Sequence, residues 1–386
     1  MGVDRRGLYE RGSVVKICFY ALNAYPTLAG TPEARVGGAE VQQVLIASYL
    51  VEQGHEVTFV VRDHGQQDGE VIRGIKVLKA YKPSAGLPVV RFIHPRFTGS
   101  WSALKAADAD IYYQRCASME TGLLALFCKM NNKPFIFASG SDSDFEFSKI
   151  MASSIRDKYL YTYGLKRANL IITQTNNQRK LLNDNFSLDA EVISNSWGKD
   201  NAVQEVSDTN GYVLWVSTLR GLKRPELFMD LAEALPDVEF VMVGGSANGE
   251  QAVYDNAEAR AKQLPNMHFV GFVPFDEVDK FFNGAKIVVN TSIFEGFPNT
   301  FLQAWQRSIP VVSYFDPDDL VKRKQIGIAV TEKEEMSDAI HKLVTNNDLY
   351  ASYQHRAKEY FENNHRVDVI GARYEKLFEG LIKKYE

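Results

Sequence analysis

The segment from residue 290 to residue 305 carries the densest set of side chains that could do chemistry. An apolar strand pattern ends at Asn290, the carboxylate of Glu295 follows, and Gly296 precedes the predicted start of a helix. Backbone N–H groups near such a start can hold an oxyanion. Glu295 can accept hydrogen bonds from hydroxyl groups, and Gln303, one turn into the helix, can bond a vicinal hydroxyl. The segment favours a phosphorylated sugar as ligand, with an ordinary capped turn as the alternative.

A second group of charges lies between a predicted strand over 212–216 and a helix that begins at Pro225. Arg220, Lys223 and Arg224 are all in this loop, and proline suits the first turn of a helix. Cations are electrostatically unfavourable at a helix N-terminus, and an anionic ligand would offset that cost. The loop therefore predicts a site for a diphosphate; a solvated loop is the alternative.

Glycine pairs follow two of the predicted strands. Gly37 and Gly38 precede a long predicted helix, and Gly244 and Gly245 follow the strand over 240–243. Two glycines allow a backbone to approach a ligand closely. The spacing lacks the GxGxxG dinucleotide fingerprint, so each pair also fits a simple tight turn.

Two aspartates follow the buried strand over 135–138. Asp142 and Asp144 form a DxD motif, which could hold a divalent cation. Helix capping and turn chemistry explain the same residues with fewer assumptions. We predict capping and no metal site, with a ligand contact by Asp142 as the competing hypothesis.

Strand and helix patterns alternate along most of the chain. Short β-branched or aromatic runs are separated by amphipathic stretches, which is typical of a parallel sheet with both faces covered. The predicted strands cover 14–20, 57–61, 75–79, 111–113, 135–138, 170–173, 191–193, 212–216, 240–243, 268–270, 287–290 and 310–313. The predicted helices cover 39–53, 119–130, 153–167, 178–186, 225–234, 250–264, 276–282 and 300–307, and the chain is helical in pattern from 332 onward.

This alternation predicts two doubly wound α/β domains in tandem with a helical tail. A polar stretch over 195–211 separates the halves. We expect an acceptor-side domain over 1–197, a donor domain over 198–365, and a helix over 366–386 that packs back on the first domain. Ligands bind at the carboxyl ends of such strands, so two facing domains would form a cleft.

The composition of the 386 residues is that of a globular protein: 45% hydrophobic, 24% charged and 12% aromatic. Its three cysteines lie in no CxxC spacing, which argues against a disulfide framework or a cysteine metal site and favours a reducing cytoplasm. No apolar run reaches the ~18–20 residues of a membrane span. The polar N-terminus does not resemble a secretory signal, and Arg6 stands where myristoylation needs Ser or Thr.

The net charge of −4 is unevenly distributed. Residues 1–200 carry a net +4 and the remainder carries −8. A basic first half leaves open a contact with an anionic partner, including the inner face of a membrane, although such asymmetry is common between domains. Arg91, His94 and Arg96 form a mixed basic and apolar segment that could contact an acceptor phosphate or be a solvated loop. No stretch is basic enough to predict nucleic-acid binding.

Together these motifs resemble the signature of the retaining nucleotide-sugar glycosyltransferases of family 4, which have the GT-B fold of two Rossmann-like domains. The resemblance covers the Gly37-Gly38 loop, the strand-loop-helix over 215–225, the Gly244-Gly245 turn and the segment over 294–305, in matching order and spacing. The last segment is the most specific of the four.

The resemblance implies a role for each motif residue. Gly37, Gly38 and Lys223 would contact donor phosphates, with Arg220 as a helper, and the base would stack near 272–274. The donor contacts it implies are Val273, Gly244, Gly296, Phe297, Pro298, Asn299, Thr300 and Gln303; the catalytic residues are Glu295, Lys223, Arg220 and Asp142.

Three positions depart from the family pattern. Gln303 replaces the second glutamate of a Glu, seven residues, Glu spacing that is expected to hold ribose hydroxyls. Ser217 and Thr218 stand where the family has Gly-Arg, so Arg220 would supply that cation. The stretch over 138–142 lacks the family's histidine, and Asp142 would take a related place.

The function that the resemblance implies is transfer of a hexose-type sugar, with retention, from a nucleotide diphosphate-sugar such as a UDP-sugar. The acceptor would be a hydroxyl of a glycan, a lipid-linked molecule or a small molecule, as in polysaccharide biosynthesis. Neither a metal nor a cofactor is expected, because fixed cations would stabilise the leaving group. The alternatives are a nucleotide-sugar 2-epimerase and a non-catalytic nucleotide-sugar-binding protein.

Overall fold

The computed structural model describes residues 14–31, 36–87, 91–150, 154–198 and 211–385. The first of its two sheets has eight strands: β1 (Lys16–Tyr20), β2 (Glu56–Val61), β3 (Val71–Ile72), β4 (Ile75–Lys79), β5 (Ile111–Arg115), β6 (Phe135–Ala138), β7 (Leu170–Thr173) and β8 (Glu191–Val192). Their order is β3-β4-β2-β1-β5-β6-β7-β8, and every neighbouring pair except β3–β4 is parallel. Six helices belong to this half: α1 (Tyr25–Ala29), α2 (Gly38–Glu52), α3 (Thr98–Ala107), α4 (Met119–Met130), α5 (Ile155–Leu165) and α6 (Asn176–Phe186).

The second sheet has six strands, all parallel, in the order β11-β10-β9-β12-β13-β14. They are β9 (Tyr212–Val216), β10 (Phe240–Val243), β11 (Met267–Gly271), β12 (Ala285–Asn290), β13 (Val311–Ser313) and β14 (Gly327–Ala329). The helices of this half are α7 (Pro225–Ala234), α8 (Gln251–Ala261), α9 (Asp279–Asn283), α10 (Asn299–Gln306), α11 (Leu320–Lys324), α12 (Lys333–Thr345), α13 (Asn347–Asn364) and α14 (Val367–Ile382). The predicted fold class, two doubly wound α/β domains with a helical tail, is confirmed.

Each face of the first sheet is covered by a different set of helices. One face packs Phe19 and Phe59 against residues of α2 and α14. The other packs Phe137 against Tyr161 of α5, with ring centroids 5.6 Å apart, together with residues of α3 and α4. Strands buried on both faces explain the continuous apolar runs in the sequence. No helix in the described ranges is long and apolar enough to cross a membrane.

The tail helix α14 returns to the first domain. Tyr374 and Phe378 enter the core beside Tyr113. Gly371 faces the ring of Tyr49 on α2 so closely that a Cβ at this position would overlap the ring. The absence of a side chain at residue 371 therefore allows the two helices to pack in contact.

His365 lies in the buried junction between the two domains. Its Nδ1 donates to the carbonyl of Asn195 at 2.8 Å, and its ring centroid lies 5.0 Å from that of Phe297. Its Nε2 is buried without a hydrogen-bond partner. Burial lowers the pKa of His365 to about 4, because protonation would place a charge and an unpaired N–H in an apolar site.

We predict that His365→Asn reduces the acid sensitivity of the fold. The pKa of His365 is lower in the folded state than the usual ~6.5, so its neutral form contributes stability that is complete above about pH 6.5 and is lost as the pH falls toward 4. The wild type should lose on the order of 2 kcal/mol of unfolding free energy more than the variant between pH 7.5 and pH 5. Urea unfolding of both proteins at the two pH values measures this, and equal losses would contradict it.

We also predict opposite effects of two glycine substitutions in α14. Gly371→Ala should lower the melting temperature, since the new Cβ overlaps Tyr49. Gly380→Ala should raise it by an amount worth roughly 0.5–1 kcal/mol, because nothing lies within 4 Å of the new Cβ and alanine stabilises a helix. Differential scanning calorimetry compares the two variants, and a stabilising Gly371→Ala would mean that α14 does not pack as described.

Candidate active site

The two motifs of the second half meet at the carboxyl ends of the neighbouring strands β9 and β12. There the Nζ atom of Lys223 forms an ion pair with Oε1 of Glu295. Ser292 Oγ donates to the same carboxylate oxygen at 2.6 Å. Lys223 is buried and Glu295 is mostly buried. The structure therefore brings together two residues that lie 72 positions apart in the sequence.

Buried hydrogen bonds fix the backbone around Lys223. The indole N–H of Trp215 donates to the hydroxyl of Thr291 at 3.0 Å, and that hydroxyl donates to the carbonyl of Lys223 at 2.6 Å. Lys223 ends a single turn of 3₁₀ helix over Gly221–Lys223. The backbone at Lys223 is thus tied to Thr291, the residue that follows β12.

Two arginines beside this pair retain unused hydrogen-bond donors. Arg224 donates through Nε to the carbonyl of Thr291 at 2.9 Å, and its guanidinium lies 4.2 Å from the ring centroid of Tyr314. In the described structure, its Nη2 and the Nε of Arg220 are buried with no hydrogen-bond partner. A buried donor without a partner costs about 1–3 kcal/mol, so both nitrogens are suited to an anion. Arg224 thereby joins Arg220 as a candidate ligand of the diphosphate.

The turn after Glu295 lies directly against the first domain. A Cβ on Gly296 would overlap the carbonyl of Gly140 and lie 2.5 Å from Oε1 of Gln174. Only glycine allows this approach of the two domains. At Gly296 the second domain therefore lies in direct contact with the first domain.

The Phe297 side chain does not reach the candidate donor site. Its ring is 6% exposed and packs against His365 and Trp305, and its carbonyl accepts a hydrogen bond from Asn195 at 2.8 Å. Pro298, which is also buried, has no N–H and precedes α10 as its cap. The side chains of these two residues form the base of the turn, and the donor contact expected of them stays a prediction.

Asn299 connects the same turn to the first domain by three hydrogen bonds. Its Oδ1 accepts from Asn195 Nδ2 at 2.9 Å and from Gln42 Nε2 at 3.1 Å. Its Nδ2 donates to the carbonyl of Gly38 at 3.2 Å. The structure thus joins the two predicted phosphate-binding segments, the Gly37-Gly38 loop at the start of α2 and the turn at the start of α10. Thr300, the second residue of α10, is partly buried beside it.

Gln303 is 4% exposed, and its amide is already engaged. Its Nε2 donates to Oδ1 of Asp279 at 3.2 Å, and the same oxygen lies 3.3 Å from Nη2 of Arg307. The side chain of Asp279 is half exposed. The expectation that Gln303 binds a sugar hydroxyl stays a prediction, and Asp279 presents a half-exposed carboxylate beside it.

The strands β10 and β11 form the remaining wall. Gly244 packs on the carbonyl of Ser217 with no room for a Cβ, and it donates to the carbonyl of Gly271 at 2.8 Å. Val273 is partly buried against the core. Phe272 is 46% exposed and lies over Gly245. Its ring therefore offers an open face on which a nucleotide base could stack.

The DxD motif divides into two roles. Asp144 accepts hydrogen bonds from the N–H groups of Gly140, Ser141 and Ala117, which is the capping that the sequence predicts. Asp142 accepts from Asn177 at 2.8 Å, while its Oδ1 is buried without a partner. Burial raises the pKa of Asp142, while the neighbouring side chains of Gln178 and Asn177 act in the opposite direction.

Among the described residues, one group of His and Glu side chains is compact enough to hold an ion, and it lies where α14 packs on the first domain. It consists of His55, Glu375 and Glu379. His55 Nδ1 accepts from the N–H of Val15 at 3.3 Å, which leaves Nε2 protonated to donate to Glu375 at 3.0 Å. The hydrogen bond from His55 to Glu375 therefore links α14 to the first domain.

Comparison with known proteins gives two family matches. The model for glycosyl transferases group 1 matches residues 198–360, and that for glycosyltransferase family 4 matches residues 36–196. A protein of Xenopus tropicalis, glycosyltransferase 1 domain-containing protein 1, is 22% identical over 172 residues, which are 43% of this chain and 49% of that relative. The match thus spans about half of the length of that relative.

Solved structures resemble nearly the whole chain. HepE of Anabaena, in complex with UDP and glucose, is 17% identical with a TM-score of 0.73, covering 94% of this chain and 99% of HepE. Sucrose-phosphate synthase of Thermosynechococcus elongatus is 13% identical with a TM-score of 0.74, covering 95% and 99%. These matches show the GT-B fold, and the two family models together extend over both domains. The chain therefore belongs to the family 4 glycosyltransferases with the GT-B fold.

Proposed function

We propose that this protein transfers a hexose-type sugar from a nucleotide diphosphate-sugar to a hydroxyl group, with retention of anomeric configuration. The observation that carries the proposal is the Lys223–Glu295 ion pair at the ends of β9 and β12, beside the unused donors of Arg220 and Arg224. The site offers cations for a diphosphate and a carboxylate for sugar hydroxyls in one place. UDP and glucose in the similar HepE structure support the same donor class.

The cations would act on the leaving group. As the bond between the sugar and the β-phosphate breaks, negative charge grows on the phosphate oxygen. Fixed donors aimed at that charge lower the barrier most when they are already in place. Lys223, Arg220 and Arg224 would supply this stabilisation, so the proposed reaction needs neither a metal ion nor a cofactor.

Retention is proposed through attack on the same face from which the leaving group departs. The bond from C1 of the sugar to the phosphate oxygen breaks, a bond from C1 to the acceptor oxygen forms, and the acceptor proton passes to the departing phosphate. The proposed reaction uses no double displacement through a pair of carboxylates, because Glu295 is already paired with Lys223. Glu295 would instead orient the sugar through its hydroxyl groups.

The acceptor would enter from the first domain. Asp142, with one unused buried oxygen, lies on that side of the cleft and would accept a hydrogen bond from an acceptor or donor hydroxyl. A hydroxyl of a glycan, a lipid-linked molecule or a small molecule fits this role, as in a step of polysaccharide biosynthesis. Contact between the domains across the turn at Gly296 would exclude water and suppress donor hydrolysis.

We predict that Lys223→Ala lowers kcat by on the order of 10²–10³-fold, the loss typical for removal of one such electrostatic group. The substitution also leaves Glu295 unpaired, so Lys223→Ala/Glu295→Gln is measured beside it to remove the buried charge. Lys262→Ala, at the exposed residue that follows α8, is the matched control. Turnover is followed as release of the nucleoside diphosphate from a panel of nucleotide-sugars.

Both Lys223 variants should remain folded by circular dichroism and remain slow, while Lys262→Ala keeps the wild-type rate. Recovery of turnover in the double variant would mean that the single change acted through the unpaired carboxylate. Wild-type turnover in Lys223→Ala would rule out the diphosphate assignment.

A separate prediction concerns Asn299. Asn299→Ala removes three hydrogen bonds between the domains but no donor-domain cation. We expect kcat to fall by about tenfold or more, equivalent to ~1.4 kcal/mol, with little change in the affinity for UDP. Gln42 and Asn195 retain their other partners, the carbonyls of Ser196 and Phe297.

Isothermal titration calorimetry with UDP and steady-state kinetics separate the two effects. Small-angle scattering adds a direct readout, since loss of the contacts should increase the radius of gyration of the UDP complex. Asn183→Ala, on the exposed face of α6, serves as the control. An unchanged kcat would show that domain contact at Asn299 does not limit turnover.

A further inference from the structure

The first domain exposes a set of large apolar side chains among cations. On one surface Leu87, Ile93, Ile155 and Tyr159 are each more than 60% exposed, and Phe147 is 42% exposed. Single exposed apolar residues are ordinary in soluble proteins, whereas a group of them marks an interaction site. We refer to these five residues as the apolar face.

Direct contacts connect the segments that carry this face. The guanidinium of Arg156 lies 4.2 Å from the ring centroid of Phe92, which joins the start of α5 to the helical turn over Phe92–Phe97. The rings of Phe147 and Tyr159 meet edge to face at 5.9 Å. Lys149 lies 5.3 Å from the ring centroid of Phe294. The surface therefore extends to the residue that precedes Glu295, at the edge of the cleft.

The charge around the apolar face has one dominant sign. The segment from residue 83 to residue 104 contains no acidic residue but two arginines, Arg91 and Arg96. On the α5 side, Arg156 lies over the partly buried ring of Phe92 and Lys158 over the exposed ring of Phe147. The acids nearby are engaged: Asp157 is buried and bound by Arg156, and Glu146 pairs with Lys149. Among the described residues Arg91 and Lys158 form no ion pair, and Lys158 donates to backbone carbonyls. Such cations beside apolar side chains match a surface that is anionic outside and hydrocarbon inside.

We propose that this face binds the surface of a lipid bilayer that contains anionic lipids. Ile93, Ile155 and Tyr159 enter the interfacial region, and Arg91 and Arg156 contact the headgroups. Bound in this way, the first domain places the edge of the cleft at Phe294 next to the bilayer. A lipid-linked acceptor then reaches Glu295 without leaving the membrane. This step rests on the proposed function, whereas the membrane contact itself does not depend on it.

The test is co-sedimentation of the full chain with vesicles of phosphatidylcholine alone and of phosphatidylcholine with phosphatidylglycerol in equal amounts. The wild type should bind the anionic vesicles and release them as the salt concentration rises. Ile155→Ser/Tyr159→Ser and Arg91→Glu should each lower the partition coefficient at least fivefold. Circular dichroism melting confirms that each variant is folded.

Two matched controls use the same substitutions elsewhere. Val71→Ser changes an exposed apolar residue on β3, five strands away from β6 in the sheet order. Lys376→Glu reverses an exposed charge on α14, which covers the opposite face of the sheet from α5. Both controls should bind vesicles like the wild type.

Absence of binding to anionic vesicles at low salt would overturn the proposal, as would equal binding by the face variants and the controls. Titration of UDP in the same preparations keeps the two proposals apart. If the wild type binds UDP but not anionic vesicles, only the membrane contact is contradicted. If it binds anionic vesicles but not UDP, only the proposed donor site is contradicted.

Discussion

The buried polar contact between the two domains is the constraint on which the rest of the site depends. Gln42, Asn195 and Asn299 are amides that satisfy one another across the cleft floor. A buried amide that loses its partner costs about 1–3 kcal/mol, so sliding the domains past each other is penalised at every one of these groups. The carboxyl ends of both sheets are thereby kept facing each other, with Gly38 at Asn299 and Gly140 at Gly296.

Within that frame, the electrostatics of the donor domain depend on a few positions. The half of the chain after residue 200 carries a net charge of −8, so bulk charge would repel a diphosphate. Lys223 is paired with Glu295, which leaves the buried donors of Arg220 and Arg224 as the local positive groups. Because nearby charges dominate inside a low-dielectric cleft, these two placed cations outweigh a larger but distant excess of acids.

The sequence predicted the elements well where burial set the pattern. The bounds of β4, β6, β7, β9, β10, α4 and α7 agree with the predicted ones, because strands buried on both faces and clearly capped helices leave local signals. Helix α3 was missed, since its few apolar residues give a weak period. The packing of Phe297 on His365 and the bond from Gln303 to Asp279 could not be predicted, because these partners are distant in the chain. Asn299 was assigned to the donor, but its contact with Gln42, 257 residues away, has no local signal.

The chain crosses between the domains at two points that lie side by side, and this bears on how the cleft can open. The backbone N–H of Trp197 donates to the carbonyl of His365 at 2.9 Å, and Trp197 forms a β-bridge with Arg366. α13 packs in the core of the second domain and α14 in that of the first. Two adjacent crossings define one axis, so rotation about it separates the amides at Asn299 while leaving each core intact. If the first domain is bound to a bilayer, the donor domain is the part that moves, and its motion exposes the site toward the membrane at Phe294.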